Sequence, residues 1–252
     1  MNRDNLGERM KIFYEAVPKT RLMRRCPVII RLDGKAAHTF THGFEKPFDV
    51  IFTMTMQQTM KHLCKNIQGC VLGYTQSDEI TLVLIDYNTL ETQAFFDYEI
   101  QKLCSITASM ATLYFNHFFQ ESANNLKGYP LYDLYCKKAQ AGLMFDSRCF
   151  NIPKEEVCNM LYWRQLDAMK NSIQMVGRAN FSHKQLQNKS CEEIKQMLHE
   201  KEDAKDWENY STFYQRGSCC VKQEEGWEID FEPPIFSQNR DYVNSRILWE
   251  EK

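Results

Sequence analysis

Short apolar runs and helical apolar stripes alternate through the first 150 residues, and their order predicts the architecture. Pro27 to Leu32 is a β-branched run that stops at Asp33-Gly34, which predicts a buried strand with Asp33 at its carboxyl end. From Asp49 to about Asn66, the residues Phe52, Met56, Met60 and Leu63 recur at steps of three and four, the pattern of an amphipathic helix whose stripe faces a core. Cys70 to Tyr74 and Glu79 to Ile85 are two further apolar runs, split by Thr75-Gln76-Ser77-Asp78. They read as a hairpin with Asp78 at its turn. A long helix is predicted from about Thr92 to Phe119, with Phe96, Ile100, Leu103, Met110 and Tyr114 on one face, and Leu143 to Phe150 reads as another strand.

The order strand, helix, hairpin, helix, strand predicts an α+β fold, a polymerase-palm-like and mostly antiparallel sheet with helices packed on one face. Residues 1–150 form the palm-like catalytic domain in this reading. Residues 151–252 form a C-terminal region that is mainly helical to about Trp207, with a short-stranded or irregular tail from Gly217. The two parts are expected to pack as one unit.

Composition narrows the function classes. The chain has 252 residues, 43% of them hydrophobic, enough to bury a substantial core. A net charge of −2 argues against coating nucleic acid by bulk electrostatics, since such binding comes mainly from clustered Lys and Arg. A local patch remains in Lys19, Arg21, Arg24 and Arg25, with Lys137 and Lys138 as a weaker second; alone, such a run reads as a solvated face. The ten cysteines form no paired Cys-x-x-Cys spacings, and the N-terminus carries no apolar signal segment. Reduced thiols in a soluble cytoplasmic protein are therefore expected, with Cys219-Cys220 and the His62, Cys64 pair as packing rather than zinc ligands. No apolar stretch approaches the roughly 20 residues that span a bilayer.

The two acidic segments are the candidate chemistry. Asp33 at a strand end and Asp78-Glu79 at a hairpin turn, on neighbouring strands, would set carboxylates side by side at one edge of a sheet. Such an edge suits Mg²⁺, which combines one or two carboxylates with water and substrate phosphates. Two such ions about 4 Å apart can activate a hydroxyl and stabilise departing pyrophosphate. Taken singly, Asp-Gly is a common turn and Ser-Asp-Glu fits a hairpin loop or a helix cap equally well. The stretch Gly34-Lys35-Ala36-Ala37-His38 is a candidate anion nest for a triphosphate, and Lys46 a candidate phosphate-neutralising charge or an exposed loop lysine.

These residues occur together in one order. Ile30-Arg31-Leu32-Asp33-Gly34, His38-Thr39-Phe40, Lys46-Pro47, Gly73-Tyr74-Thr75-Gln76-Ser77-Asp78-Glu79 and Trp163-Arg164-Gln165 resemble the signature of the histidine-tRNA guanylyltransferase family of 3′-to-5′ polymerases. The resemblance implies a palm-fold, metal-dependent nucleotidyltransferase that activates a tRNA 5′-monophosphate with ATP or GTP and then joins an incoming nucleotide to it. It implies that Asp33, the carbonyl of Gly34 and Asp78 hold two Mg²⁺ ions. By the same likeness Gly34, Lys35, Ala36, Ala37, His38 and Ser77 contact the triphosphate, Glu79 supports catalysis and Lys46 approaches phosphate. A homotetramer built as a dimer of dimers is also implied, in which Lys19, Arg21, Arg24 and Arg25 contact tRNA phosphates.

One segment departs from the pattern. Where eukaryotic guanylyltransferases carry His-Ile-Asn-Asn-Leu-Tyr-Asn, this chain reads Met169-Lys170-Asn171-Ser172-Ile173-Gln174-Met175. That places it nearer the branch resembling template-dependent tRNA 5′-end repair enzymes. Addition of a single 5′ guanylate, a palm-fold nucleotide cyclase and a noncatalytic tRNA-binding module stand as the alternatives.

Overall fold

The computed structural model describes residues 6–248. Its helices are α1 (Leu6–Met10), α2 (Ala37–Phe40), α3 (Val50–Asn66), α4 (Ile100–Asn124), α5 (Tyr132–Ala141), α6 (Lys154–Asn180), α7 (His183–Leu186), α8 (Cys191–His199), α9 (Thr212–Arg216) and α10 (Asp241–Ile247). Its strands are β1 (Val28–Gly34), β2 (Cys70–Gln76), β3 (Glu79–Leu84), β4 (Phe145–Asn151), β5 (Ser218–Gln223) and β6 (Gly226–Asp230). The strands form one antiparallel sheet in the order β4-β1-β3-β2-β5-β6.

Alternation along the strands divides two cores. Val28, Ile30, Leu32, Ile80, Leu82 and Leu84 face α3 and α4, whereas Ile29, Leu72, Tyr74 and Val83 face α6 and α10. Each face therefore needs its own cover. Helices α3 and α4 pack on one face as the sequence pattern predicts, and the 27-residue α6 closes the other with Val157, Cys158 and Leu161. The close seat of α3 explains Gly73: a Cβ there would lie 2.5 Å from the Cys64 sulfur and 3.0 Å from Cγ of Met60.

The second long helix begins later than its apolar phase predicts. Phe95–Tyr98 is a 3₁₀ turn in which Phe96, Asp97 and Tyr98 have positive φ. Backbone bonds to the preceding segment compete with the helix here: Leu22 N–H donates to the Tyr98 carbonyl and Ile100 N–H to that of Thr20. Tyr98 is buried while Phe96 remains exposed, so Phe96 lies outside the helical stripe. At the other end α4 runs on to Asn124, burying Phe115, Phe119 and Ala123. The tail's short strands β5 and β6 extend the sheet, β5 pairing with β2. Among the described residues no helix is long and apolar enough to cross a membrane.

Candidate active site

The β2–β3 hairpin closes through Ser77 and Asp78 alone, because β2 continues through Thr75 and Gln76. Ser77 takes the positive φ this tight turn requires. Asp33, near the end of β1, pairs with Glu79 on β3 and with Asp146 on β4. Gly34 then brings β1 against the turn: its N–H donates to the Asp78 carbonyl at 3.1 Å, and a Cβ on it would meet Cβ of Asp78 and of Ala37, each at 3.2 Å. The structure thus gathers Asp33, Gly34, Ser77, Asp78 and Glu79 at one sheet edge.

Four carboxylates meet there, and their charges are handled differently. Glu79 accepts from Arg31 at 3.1 Å and lies 3.0 Å from Nε of Arg164, so two guanidiniums neutralise it. Asp146 accepts from Arg148 at 3.0 Å. Among the described residues Asp33 forms no ion pair; burial, then Glu79 and Asp146, raise its pKa, and the more distant charges of Arg148 and Arg31 offset only part of the rise. Burial lifts Asp78 to about 6, against the opposing hydrogen bond from the Ser77 hydroxyl, with Asp33 and Glu79 adding to the rise. This unmatched negative charge is what a bound cation relieves. The donor set of Asp33, Asp78 and the Gly34 carbonyl is all oxygen, which fits Mg²⁺ with water and phosphate as its remaining ligands and does not fit a closed zinc site of Cys and His.

The segment after Gly34 folds back at once. Lys35 N–H donates to the Met144 carbonyl, Ala36 adopts the left-handed conformation with φ 56°, and α2 starts at Ala37. Among the described residues the amides of Ala37 and His38 have no backbone acceptor, leaving donors free for an anion. His38, Lys46 and Ser77 line a cavity of about 490 Å³ that also reaches α6 at Ala168 and Met175. Its aromatic wall is Phe48 stacked on Tyr214, ring centroids 4.6 Å apart and 9° from parallel. Sequence reading missed Phe48, Tyr214 and Arg178, because they come from three distant segments and form no motif. Asp49 escaped it too: its carboxylate caps α3 by accepting from Phe52 N–H at 2.8 Å and accepts from the Tyr135 hydroxyl at 2.6 Å.

The basic run lies elsewhere. Met23 bonds to Asn151 at the far end of β4, the opposite end of β1 from Asp33 and about 17 Å away along the strand. Arg24 bonds the buried Asp86 at 2.6 Å and pairs with Asp97, as does Arg21. Arg25 donates to the carbonyls of Asp86, Thr89 and Leu90, and Lys19 pairs with Glu15. These charges tie the segment before β1 to the loop after β3, work that a composition-level reading does not reveal.

The profile of the tRNAHis guanylyltransferases matches residues 7–153. The chain belongs to this family. As a member of the tRNAHis guanylyltransferase family it is a nucleotidyltransferase, and its paired acids lie within the matched region. A bacterial tRNA(His) guanylyltransferase-like protein in complex with ATP is 39% identical with a TM-score of 0.84, over 96% of this chain and 98% of that one. A bacterial guanylyltransferase-like protein in complex with GTP is 35% identical with a TM-score of 0.76, over the same shares. An uncharacterized protein of Acanthamoeba polyphaga mimivirus is 30% identical over 86% of this chain and 77% of its own length.

Proposed function

We propose that this chain is a template-dependent 3′-to-5′ nucleotidyltransferase that extends the 5′ end of truncated tRNA after ATP or GTP activates its 5′-phosphate. The observation that carries the proposal is the Asp33 and Asp78 pair, neither of them in an ion pair among the described residues and both raised in pKa, beside a cavity lined by Ser77, His38 and Lys46. Asp33, Asp78 and the Gly34 carbonyl are the groups that would hold Mg²⁺, which when bound activates the attacking oxygen and offsets charge on the leaving pyrophosphate. The chain's own residues do the rest: the amides of Ala37 and His38 with Lys35 and Lys46 receive the triphosphate, and the stacked pair of Phe48 and Tyr214 offers one aromatic wall to its base. Glu79 holds Arg31 and Arg164 beside the reacting groups. ATP and GTP as substrates are supported by the two bacterial relatives, each in complex with one of them.

Repair, rather than addition of one guanylate, is supported by α6. Two residues of its departing segment serve packing: Ser172 donates to the Gln215 carbonyl and accepts from the Trp207 indole N–H, and Ile173 joins a small core with Val176 and Leu198.

Assembly into a dimer of dimers is supported by Ile12, Phe13, Tyr14 and Val17, all more than half exposed. Lys19 to Arg25 lie at the opposite end of β1 from Asp33, so the tRNA phosphates they would meet lie away from the reacting 5′ end.

The decisive assay incubates the protein with a 5′-truncated tRNA, ATP, NTPs and Mg²⁺, with matched and mismatched bases opposite the 5′ end. Extension that follows the opposing base, and falls at least about 1,000-fold in Asp78→Ala, is the expected result. No extension across several tRNAs overturns the proposal, and guanylate addition regardless of the opposing base reassigns it to single-guanylate transfer.

A further inference from the structure

Trp163 stands on α6 with its indole 53% exposed, unusual for the largest and generally well-buried side chain. Its ring is nevertheless held. The Arg164 guanidinium carbon lies 4.3 Å from the ring centroid and that of Arg31 5.4 Å, and both arginines are fixed in turn by Glu79, with Asp167 as a second partner of Arg164. Glu79 sits directly across the strands from Asp33. Arg31 precedes Asp33 by two residues on the same sheet face, about 7 Å along the strand.

An exposed aromatic ring is therefore anchored beside the candidate reaction centre. Leu166, one turn along α6 and 45% exposed, continues its apolar surface. The nucleotide cavity draws on α6 only from Ala168 to Arg178 and leaves Trp163 out; five residues of helix put the two places about 7.5 Å apart along the axis.

Any RNA whose 5′-phosphate reaches Asp33 and Asp78 carries its terminal base within one nucleotide of that centre. Bases at RNA ends are bound chiefly by stacking on aromatic rings. A ring with cations packed against it and a surface left in water meets that need.

We infer that Trp163 is the stacking platform for the 5′-terminal base of the RNA acceptor, a nucleobase subsite separate from the cavity that takes the nucleoside triphosphate. The inference rests on the proposed transfer to an RNA 5′ end. It makes Trp163 a positioning residue, with the Glu79, Arg31 and Arg164 network as the frame that orients its ring.

The test uses the full chain and a 5′-monophosphorylated RNA hairpin with 2-aminopurine as its 5′-terminal base. Stacking on the wild-type protein is expected to quench the fluorophore. Trp163→Phe is expected to keep most of the quench. Trp163→Ala is expected to lose it and to raise KM for RNA about tenfold or more, leaving KM for the nucleoside triphosphate and the thermal midpoint within error. Wild-type extension with the same RNA KM in Trp163→Ala overturns the inference alone, as does a variant whose only change is its oligomeric state. If Trp163→Ala loses stability as well, an unrescued quench in Trp163→Phe overturns it. Absence of any extension by the wild-type protein overturns the functional proposal and the inference with it.

Discussion

Asp78 pays for its position in protonation. Its folded carboxyl takes up a proton at about 6, against about 3.9 for an exposed aspartate. Between those values the folded, metal-free protein binds more protons than the unfolded chain, so this group's contribution to stability falls as pH rises through that window. Asp78→Asn removes the penalty. At pH 7.5 the metal-free variant is expected to exceed wild type by roughly 1–3 kcal/mol in urea unfolding, with the gap closing at pH 4, while transfer is lost. Equal urea midpoints at pH 7.5 would show that the carboxylate is not strained. Glu79, one residue on, is no less acidic in sequence, yet Arg31 and Arg164 give it a different role. No local pattern distinguishes the two residues; the difference comes from Arg164, which lies 85 residues away in the chain.

At the scale of elements, the Asp49 carboxylate gathers the loop before α3, the start of that helix and α5. Asp49 accepts from the amides of Phe52 and Glu45 and from the Tyr135 hydroxyl. Asp49→Ala leaves these donors without their acceptor and removes a helix cap, an expected loss of about 2–4 kcal/mol in denaturant unfolding. Because Glu45 to Asp49 and Phe52 line the cavity, KM for the nucleoside triphosphate should rise as well. A loss below about 0.5 kcal/mol would mean that water replaces the carboxylate at no cost.

What was legible in the sequence follows the range of the forces involved. β1, α3 and the hairpin were readable because each carries an apolar run or stripe, β4 because apolar residues flank Asp146-Ser147-Arg148 on both sides, and the placing of Asp33 and Asp78 at strand ends followed from where those runs stop. The start of α4 was not, since Phe96 keeps helical phase while backbone bonds to Thr20 and Leu22 turn the chain. The sheet partner of β5 was not legible either: Cys219 and Cys220 are as apolar as any strand residues, but nothing local names Tyr74 and Gly73 as the residues they pair with. The aromatic wall of Phe48 and Tyr214 is hidden for the same reason.

At the scale of the whole molecule, the acidic edge depends on chain that lies well beyond it. α6 covers Ile29, Leu72, Tyr74 and Val83 from the side opposite α3, and β5 covers the free edge of β2. A chain ending at Asn151 would expose both. Such a fragment is expected to aggregate and to show no cooperative thermal transition, read by gel filtration and calorimetry, although the family profile ends almost at that residue. A soluble, cooperatively melting fragment would show that the first half sustains its own core.

The pairing of β2 with β5 also sets a schedule for synthesis. The edge of β2 emerges about 140 residues before its partner, which at ribosomal speed is an interval of roughly 7 to 30 seconds. Throughout it, Leu72, Gly73 and Tyr74 present an open strand to their surroundings. Nascent chains stalled in this window are the form most in need of a chaperone, and slow codons between Asn151 and Ser218 would lengthen that exposure.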